Sequence, residues 1–156
     1  MGDMSVQSAG ILMFRRGPDG LRVLLVHPGG PWWAGKDEGA WSLPKGQFVP
    51  PEEPLDAARR EFAEETGHEV EGAPLCLESV RQKGGKVVHA WAVEGDLDPT
   101  SVRSTTFEME WPPRSGKSAT FPEVDRAAWF TIEEARSKLL AAQRPFLDRL
   151  ERAIEA

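Results

Sequence analysis

Glu61, Glu64 and Glu65 stand at i, i+3 and i+4, the interval that places side chains on one face of an α-helix. Three carboxylates on one face repel, and the repulsion has two ordinary remedies, water or a cation. Hard divalent ions such as magnesium or manganese take oxygen ligands of this kind. Lys45 and Gly46 lie upstream, so a metal on the acids could bridge to a phosphate. Taken alone, Glu64-Glu65 is most simply a solvated acidic helix face. The residues around it reverse that judgement.

After Gly46 come five residues, then Glu52, seven more, and Arg60-Glu61-Phe62-Ala63-Glu64-Glu65-Thr66-Gly67. This arrangement resembles the signature of the Nudix (MutT-type) hydrolases. All of its fixed positions are filled, by Gly46, Glu52, Arg60, Glu61, Glu64, Glu65 and Gly67. At roughly one in ten for each fixed residue type, coincidence amounts to about 10⁻⁷ per starting point. There is one departure, His68, where the pattern usually has an aliphatic residue.

The resemblance implies a site as well as a fold. The main-chain carbonyl of Lys45 with Glu61, Glu64 and Glu65 would hold Mg2+ or Mn2+, with Glu52 as a more peripheral acid and Arg60 orienting its neighbours by ion pairing. The chemistry would be in-line attack of water on phosphorus, the metal neutralising charge on the bridging oxygens. Glu61 is the first choice for general base. Some members of the family place the base on a loop before the last strand, where this chain has Glu123 in Phe121-Pro122-Glu123-Val124. A plain surface acid is an equally good reading of Glu123.

For the substrate, Lys45 is placed to meet a phosphate, and Arg114 and Lys117 on a Pro-Gly loop add positive charge. Solvated surface charge is the simpler reading of that pair. Trp32 and Trp33 offer indole faces to a nucleobase, with packing into the core as the alternative for these two and for Trp41. His89, inside Val87-Val88-His89-Ala90-Trp91, reads as a structural histidine. The Trp41-Ser42-Leu43-Pro44-Lys45-Gly46 run most resembles the diadenosine polyphosphate hydrolases, a group that usually carries a downstream tyrosine; this chain has none. The expectation is hydrolysis of phosphoanhydride bonds in nucleoside diphosphate-linked substrates, with dinucleoside polyphosphates foremost. The alternatives are a nucleoside triphosphate or nucleotide-sugar pyrophosphohydrolase, and a Nudix module that binds nucleotide without cleaving it. A calcium-binding acidic helix ranks last, because the alternating Asp/Asn loop is absent.

The elements that must position these residues are legible as periodicities. Aliphatic runs at 8–14 and 21–27, joined by Gly17-Pro18-Asp19-Gly20, read as two strands and a turn. Residues 29–42, rich in Gly, Pro and Trp, read as a long surface loop. Pro54 to Thr66 reads as a helix stopped by Gly67, with Leu55, Ala58 and Phe62 as its buried stripe. Strand-like runs follow at 70–80, 86–94, 105–111 and 126–130, with a loop at 112–117. Thr131 with Glu134 caps a helix, and a second helical run starts at Pro145, carrying Phe146, Leu147, Leu150 and Ile154. With the resemblance, this order implies an α/β/α sandwich around a mixed β-sheet.

Composition bounds the rest. A chain of 156 residues is expected to form a single domain. The net charge of −6 argues against broad binding to nucleic acid or anionic lipid. Cys76 is the only cysteine, so no internal disulfide or multi-cysteine metal site is available. No apolar stretch approaches membrane-spanning length and the start lacks a secretory pattern. A cytoplasmic monomer or homodimer acting on a small nucleotide, without nucleic acid or membrane as partner, is the expectation.

Overall fold

The computed structural model describes residues 5–155. Its strands are β1 (Gln7–Gly17), β2 (Gly20–Pro28), β3 (Lys45–Gln47), β4 (Leu75–Arg81), β5 (Val87–Glu94), β6 (Thr106–Glu110), β7 (Ser118–Pro122) and β8 (Val124–Thr131); its α-helices are α1 (Pro54–Thr66), α2 (Ile132–Lys138) and α3 (Pro145–Glu155). The main sheet runs β4-β5-β1-β2-β8, with β3 added to β1, while β6 and β7 pair only with each other. β1 and β5 are parallel and the other pairs antiparallel, which makes the sheet mixed.

Period-two alternation sends side chains to both faces, and both faces are covered. Leu12, Phe14, Val23, Leu25, Val88 and Ala90 pack with Phe146, Leu147 and Leu150 of α3. Ala9, Ile11, Met13, Leu24 and Val93 pack with Ala57, Ala58 and Phe62 of α1. This is the expected α/β/α sandwich. The central strands therefore read as nearly unbroken apolar runs.

α1 starts with Pro54, whose missing N–H costs nothing in a first turn. It ends at Gly67 with φ 77°, whose N–H donates to the Ala63 carbonyl, a left-handed stop that suits glycine. The buried face is Ala57, Ala58, Phe62 and Thr66, with Leu55 only half-buried at its edge. Phe62 is wholly buried; truncating such a ring to Ala costs about 3–5 kcal/mol. α2 begins with the expected capping box, Glu134 N–H donating to Thr131 Oγ1 and Thr131 N–H to Glu134 Oε1.

Three boundaries differ from expectation. The run from residue 70 becomes a strand only at Leu75, after the turn at Gly72 with φ 115°. β3, three residues long, carries no periodicity to read, and β7 lies outside the expected strands, its alternation of Ala119 and Phe121 being only two apolar residues long. β8 extends to Val124 because a bulge opposite His27/Pro28 absorbs one extra residue.

Candidate functional site

β1 and β2 pair through Phe14–Gly17 and Gly20–Val23 and then diverge. Residues 41–47 wedge into the gap. Ser42 exchanges two backbone hydrogen bonds with Val26, and Ile11 N–H donates to the Pro44 carbonyl at 3.1 Å. Phe48 N–H donates to Gln7 at 3.1 Å. Since hydrogen-bonded and non-bonded pairs alternate in an antiparallel ladder, Lys45 sits at a non-bonded position with its N–H and C=O turned away from β1. Its N–H donates to Glu65 Oε1 at 3.1 Å. The wedge is thereby fastened to α1.

Gly46 follows because a side chain there would displace the acid: a Cβ would lie 2.0 Å from the Glu61 carboxyl carbon. Arg60 gathers the remaining acids. Its Nε and Nη2 grip both oxygens of Glu52 at 2.8 and 2.9 Å, and Nη1 donates to Glu61 at 2.8 Å and to Glu64 at 3.1 Å. The planar guanidinium suits such forked contacts. Arg60 in turn lowers the Glu52 carboxyl below its ordinary range.

Burial acts the other way on the inner acids. Desolvation pushes the Glu65 carboxyl up to about 8, against the Lys45 amide and ammonium, with the negative charges of Glu61 and Glu123 adding to the rise. Glu61 is raised by burial too, in spite of Arg60. Lys45 is lowered, chiefly by burial, partly offset by Glu65. These are the directions low dielectric dictates for partly dehydrated charges.

Glu61, Glu64 and Glu65 each keep one carboxylate oxygen without a hydrogen-bond partner among the described residues. Hard oxygens on neighbouring, mutually repelling acids, two of them partly desolvated, fit magnesium or manganese by donor type. Among the described residues, no group of three or more His, Cys, Asp or Glu is already gathered closely enough to cage an ion. Arg60 is the cation that Glu61 and Glu64 now share.

Glu123 comes to the same place from the turn between β7 and β8. The C-terminal carbonyls of α1 are capped by the segment before β6: Thr105 N–H donates to Glu64 O at 2.8 Å and Arg103 N–H to Thr66 O at 2.9 Å. That segment also holds the turn, as Glu123 N–H donates to Thr105 O at 2.9 Å and Val124 N–H to Ser104 Oγ at 3.0 Å. Gly29 closes the other side, its N–H on Glu123 O at 3.0 Å and its Cα so near that a Cβ would strike the Pro122 carbonyl.

Two cavities meet here and share Lys45, Glu65 and Glu123. One, of about 470 Å³, is lined by Gly46, Glu61, Glu64 and Lys86 besides these three. The other, of about 210 Å³, is more apolar, walled by Val26, Pro28, Trp33, Ala40 and Val124. A charged chamber opening onto an apolar one suits a ligand with phosphates at one end and a ring at the other.

Of the residues singled out in the sequence, Lys45, Glu61, Glu64, Glu65, Glu123 and Trp33 line these cavities, and Arg60 and Glu52 support them from behind. Trp33 carries Lys36 Nζ at 5.1 Å over its ring. Trp32 lies outside, 59% exposed and edge-on to Trp111. Arg114 and Lys117 sit on the turn of the β6–β7 hairpin and line neither cavity. Trp41 is a core residue, its indole N–H on Asp37. His89 hydrogen-bonds Gln7, and His68, the departure from the signature, reaches Ser101.

Sequence reading missed Lys86, a second cation at the charged chamber, which carries no signal beyond being one lysine beside a Gly-Gly turn. It also missed His27, wholly buried with both ring nitrogens hydrogen-bonded. The unbroken apolar run before it gives no hint of a polar partner.

The fold and the signature find the same relatives. Similar solved structures include a C. elegans Ap4A hydrolase binary complex (20% identity, 95% of this chain and 98% of that one, TM-score 0.68) and the NUDIX domain of Shewanella oneidensis NrtR complexed with ADP ribose (15%, 98% and 90%, 0.65). A MutT protein from Methanosarcina mazei Go1 is also similar (21%, 100% and 99%, 0.62). At these identities the likeness speaks to fold. The family model for the NUDIX domain matches residues 4–150, and with the whole signature set on β3, α1, the loop between them and the α1 cap, the chain belongs to the Nudix family of pyrophosphohydrolases.

Proposed function

We propose that this protein is a magnesium- or manganese-dependent hydrolase of phosphoanhydride bonds in nucleoside diphosphate-linked substrates, with dinucleoside polyphosphates as the foremost class. The observation that carries it is the convergence of Glu61, Glu64, Glu65, Glu123 and Lys45 on one charged chamber that opens onto the apolar one beside Trp33. A nucleobase enters against Trp33, and the polyphosphate lies across Lys45 toward α1. Kinship in fold with an Ap4A hydrolase agrees with this choice.

Glu61, Glu64 and Glu65, with the Lys45 carbonyl, are the residues that would hold the ion, and the ion would supply the positive charge that phosphate oxygens need in an acidic protein. The protein's own contribution is positional. Arg60 fixes Glu61 and Glu64 by charge-assisted hydrogen bonds, and Glu52 fixes Arg60. Glu61 is the first choice of proton acceptor for the attacking water, and Glu123, lining the same chamber, is the alternative. Glu61, its carboxyl raised by burial, works closer to neutral pH than a solvated carboxylate does.

The test is release of AMP, ATP or inorganic phosphate from a nucleotide panel containing dinucleoside polyphosphates, nucleoside triphosphates, nucleotide sugars and ADP-ribose, with Mg2+, Mn2+ or EDTA. The expected result is metal-dependent turnover, greatest on a dinucleoside polyphosphate and lost in Glu64→Gln/Glu65→Gln. Full activity in that double variant would reduce α1 to a solvated acidic face.

A further inference from the structure

His27 is 0% exposed at the end of β2 and takes no part in the chemistry above. Its Nδ1 lies 2.9 Å from Asp125 Oδ1 and its Nε2 2.7 Å from the Lys36 carbonyl. The ring also packs edge-on against Trp41, 5.2 Å between centroids. A buried histidine with both nitrogens on acceptor oxygens from two other segments is a joint between β2, β8 and the loop that carries Trp33.

What it joins is a defect in the sheet. His27 pairs with Arg126 and Pro28 pairs with Val124, so Asp125 is an extra residue with no partner on β2. Beyond a bulge the side-chain alternation is inverted. Val124, cross-strand from Pro28, therefore enters the apolar chamber beside Glu65, while Asp125 is directed to the opposite face, where His27 waits. If the bulge were lost, the strand would advance by one residue. Asp125 would replace Val124 against Glu65, an added acid in an apolar wall, and Glu123 would be carried about 3.3 Å along the strand.

We propose that His27 is a positioning residue: by binding the side chain of Asp125 it fixes the β-bulge that places Val124 in the apolar chamber and Glu123 at the rim facing Glu61 and Glu65. Gly29, Ser104 and Thr105 hold the main chain of the Glu123 turn, but among the described residues only His27 hydrogen-bonds the extra residue's side chain. The inference rests on Glu123 belonging to the reacting groups for its effect on turnover, and on geometry alone for its effect on the turn.

The experiment compares Asp125→Ala with Asp125→Asn, whose side-chain amide can hydrogen-bond the imidazole Nδ1 in either tautomer. Asp125 is partly solvent-exposed, so both variants remain folded more readily than one with a hole at His27. Amide hydrogen exchange reads the bulge through Gly29 and Glu123, whose N–H groups close the turn, with the Gly67 amide at the α1 cap as internal control. In Asp125→Ala the Gly29 and Glu123 amides lose protection about tenfold or more while Gly67 keeps its own, and kcat falls by about tenfold to a hundredfold with KM less affected, since a displacement of even 1 Å can cost about 10²-fold. Asp125→Asn restores both. Unchanged protection at Gly29 and Glu123 in Asp125→Ala overturns the proposal, as does an Asn variant as impaired as the Ala one. If the wild-type protein turns over no nucleotide, the functional reading fails, and the exchange data still decide the role of His27.

Discussion

Gly46→Ala separates the chemistry of the site from its stability. A Cβ at Gly46 would lie 2.0 Å from the Glu61 carboxyl carbon and from its Oε2, so one of the two must move. The obstacle is the far end of a flexible side chain and not backbone, and Gly46 has no positive φ to forbid alanine. Glu61 therefore swings away. The displaced carboxylate gives up its 2.8 Å bond to Arg60, a partly exposed charge-assisted contact worth about 1–2 kcal/mol, while alanine stiffens the unfolded chain and returns about 0.4–1 kcal/mol. The net change is about 1 kcal/mol, or ~2–4 °C in Tm for a chain of this size. Catalysis does not share this compensation, because the proposed base and metal-holding group has left its place, and kcat should fall about 10²-fold or more. The assay is metal-dependent product release on the preferred nucleotide beside thermal unfolding by circular dichroism, with Gly17→Ala as control, where nothing lies within 4 Å of the added Cβ. Wild-type kcat in Gly46→Ala would refute the assignment of Glu61, and a fall in Tm beyond ~10 °C would show that Glu61 cannot yield.

Three further outcomes follow from the same geometry. Glu65, raised from an ordinary 4.5 to about 8 by burial, binds its proton more tightly folded than unfolded; its contribution to stability is full below about pH 4.5 and is lost as pH rises through about 8. Thermal melts from pH 5 to 9 should show wild type losing roughly 5 °C or more relative to Glu65→Gln across that range, and a parallel pair of curves would contradict the burial argument. Arg60→Lys keeps the charge but not the fork that spans Glu52, Glu61 and Glu64, so kcat should drop by about tenfold; equal kcat would mean that charge alone suffices. Trp33→Ala should raise KM about fivefold or more at similar kcat, as stacking of a base on an aromatic ring is worth about 1–3 kcal/mol, whereas Trp32→Ala, outside the chamber, should leave KM unchanged in steady-state assays.

Much of this site is legible in the amino-acid sequence because its parts are local. Glu61, Glu64 and Glu65 share one helix turn, and Gly46, Glu52 and Arg60 lie within a short span, so spacing alone encodes their meeting. The sandwich is legible for the same reason: the apolar runs of β1, β2 and β5, the stop of α1 and the cap of α2 are written in consecutive residues. Contacts across long loops are not. The His27–Asp125 bond spans 98 positions, Lys86 reaches the chamber only through the pairing of β5 with β1, and the bulge before Arg126 arises from partner geometry that no pattern in β8 announces. Arg114 and Lys117 fall on the β6–β7 hairpin turn and line neither cavity, the place that the simpler reading of the pair as solvated surface charge implies.

The β6–β7 hairpin leaves and re-enters the molecule through Thr105 and Glu123, which are hydrogen-bonded to each other, with Thr105 tied in turn to the end of α1. Everything from Thr106 to Pro122 is thus a cassette clipped shut at its base. Closing a longer or shorter loop on a fixed clip changes the entropy only slowly with length, so descendants can extend, trim or redecorate this arm while Glu123 stays where it is. Trp111 of the cassette rests on Trp32, outside both cavities, so diversification of the arm can fall on the outer surface and leave the phosphorus chemistry untouched.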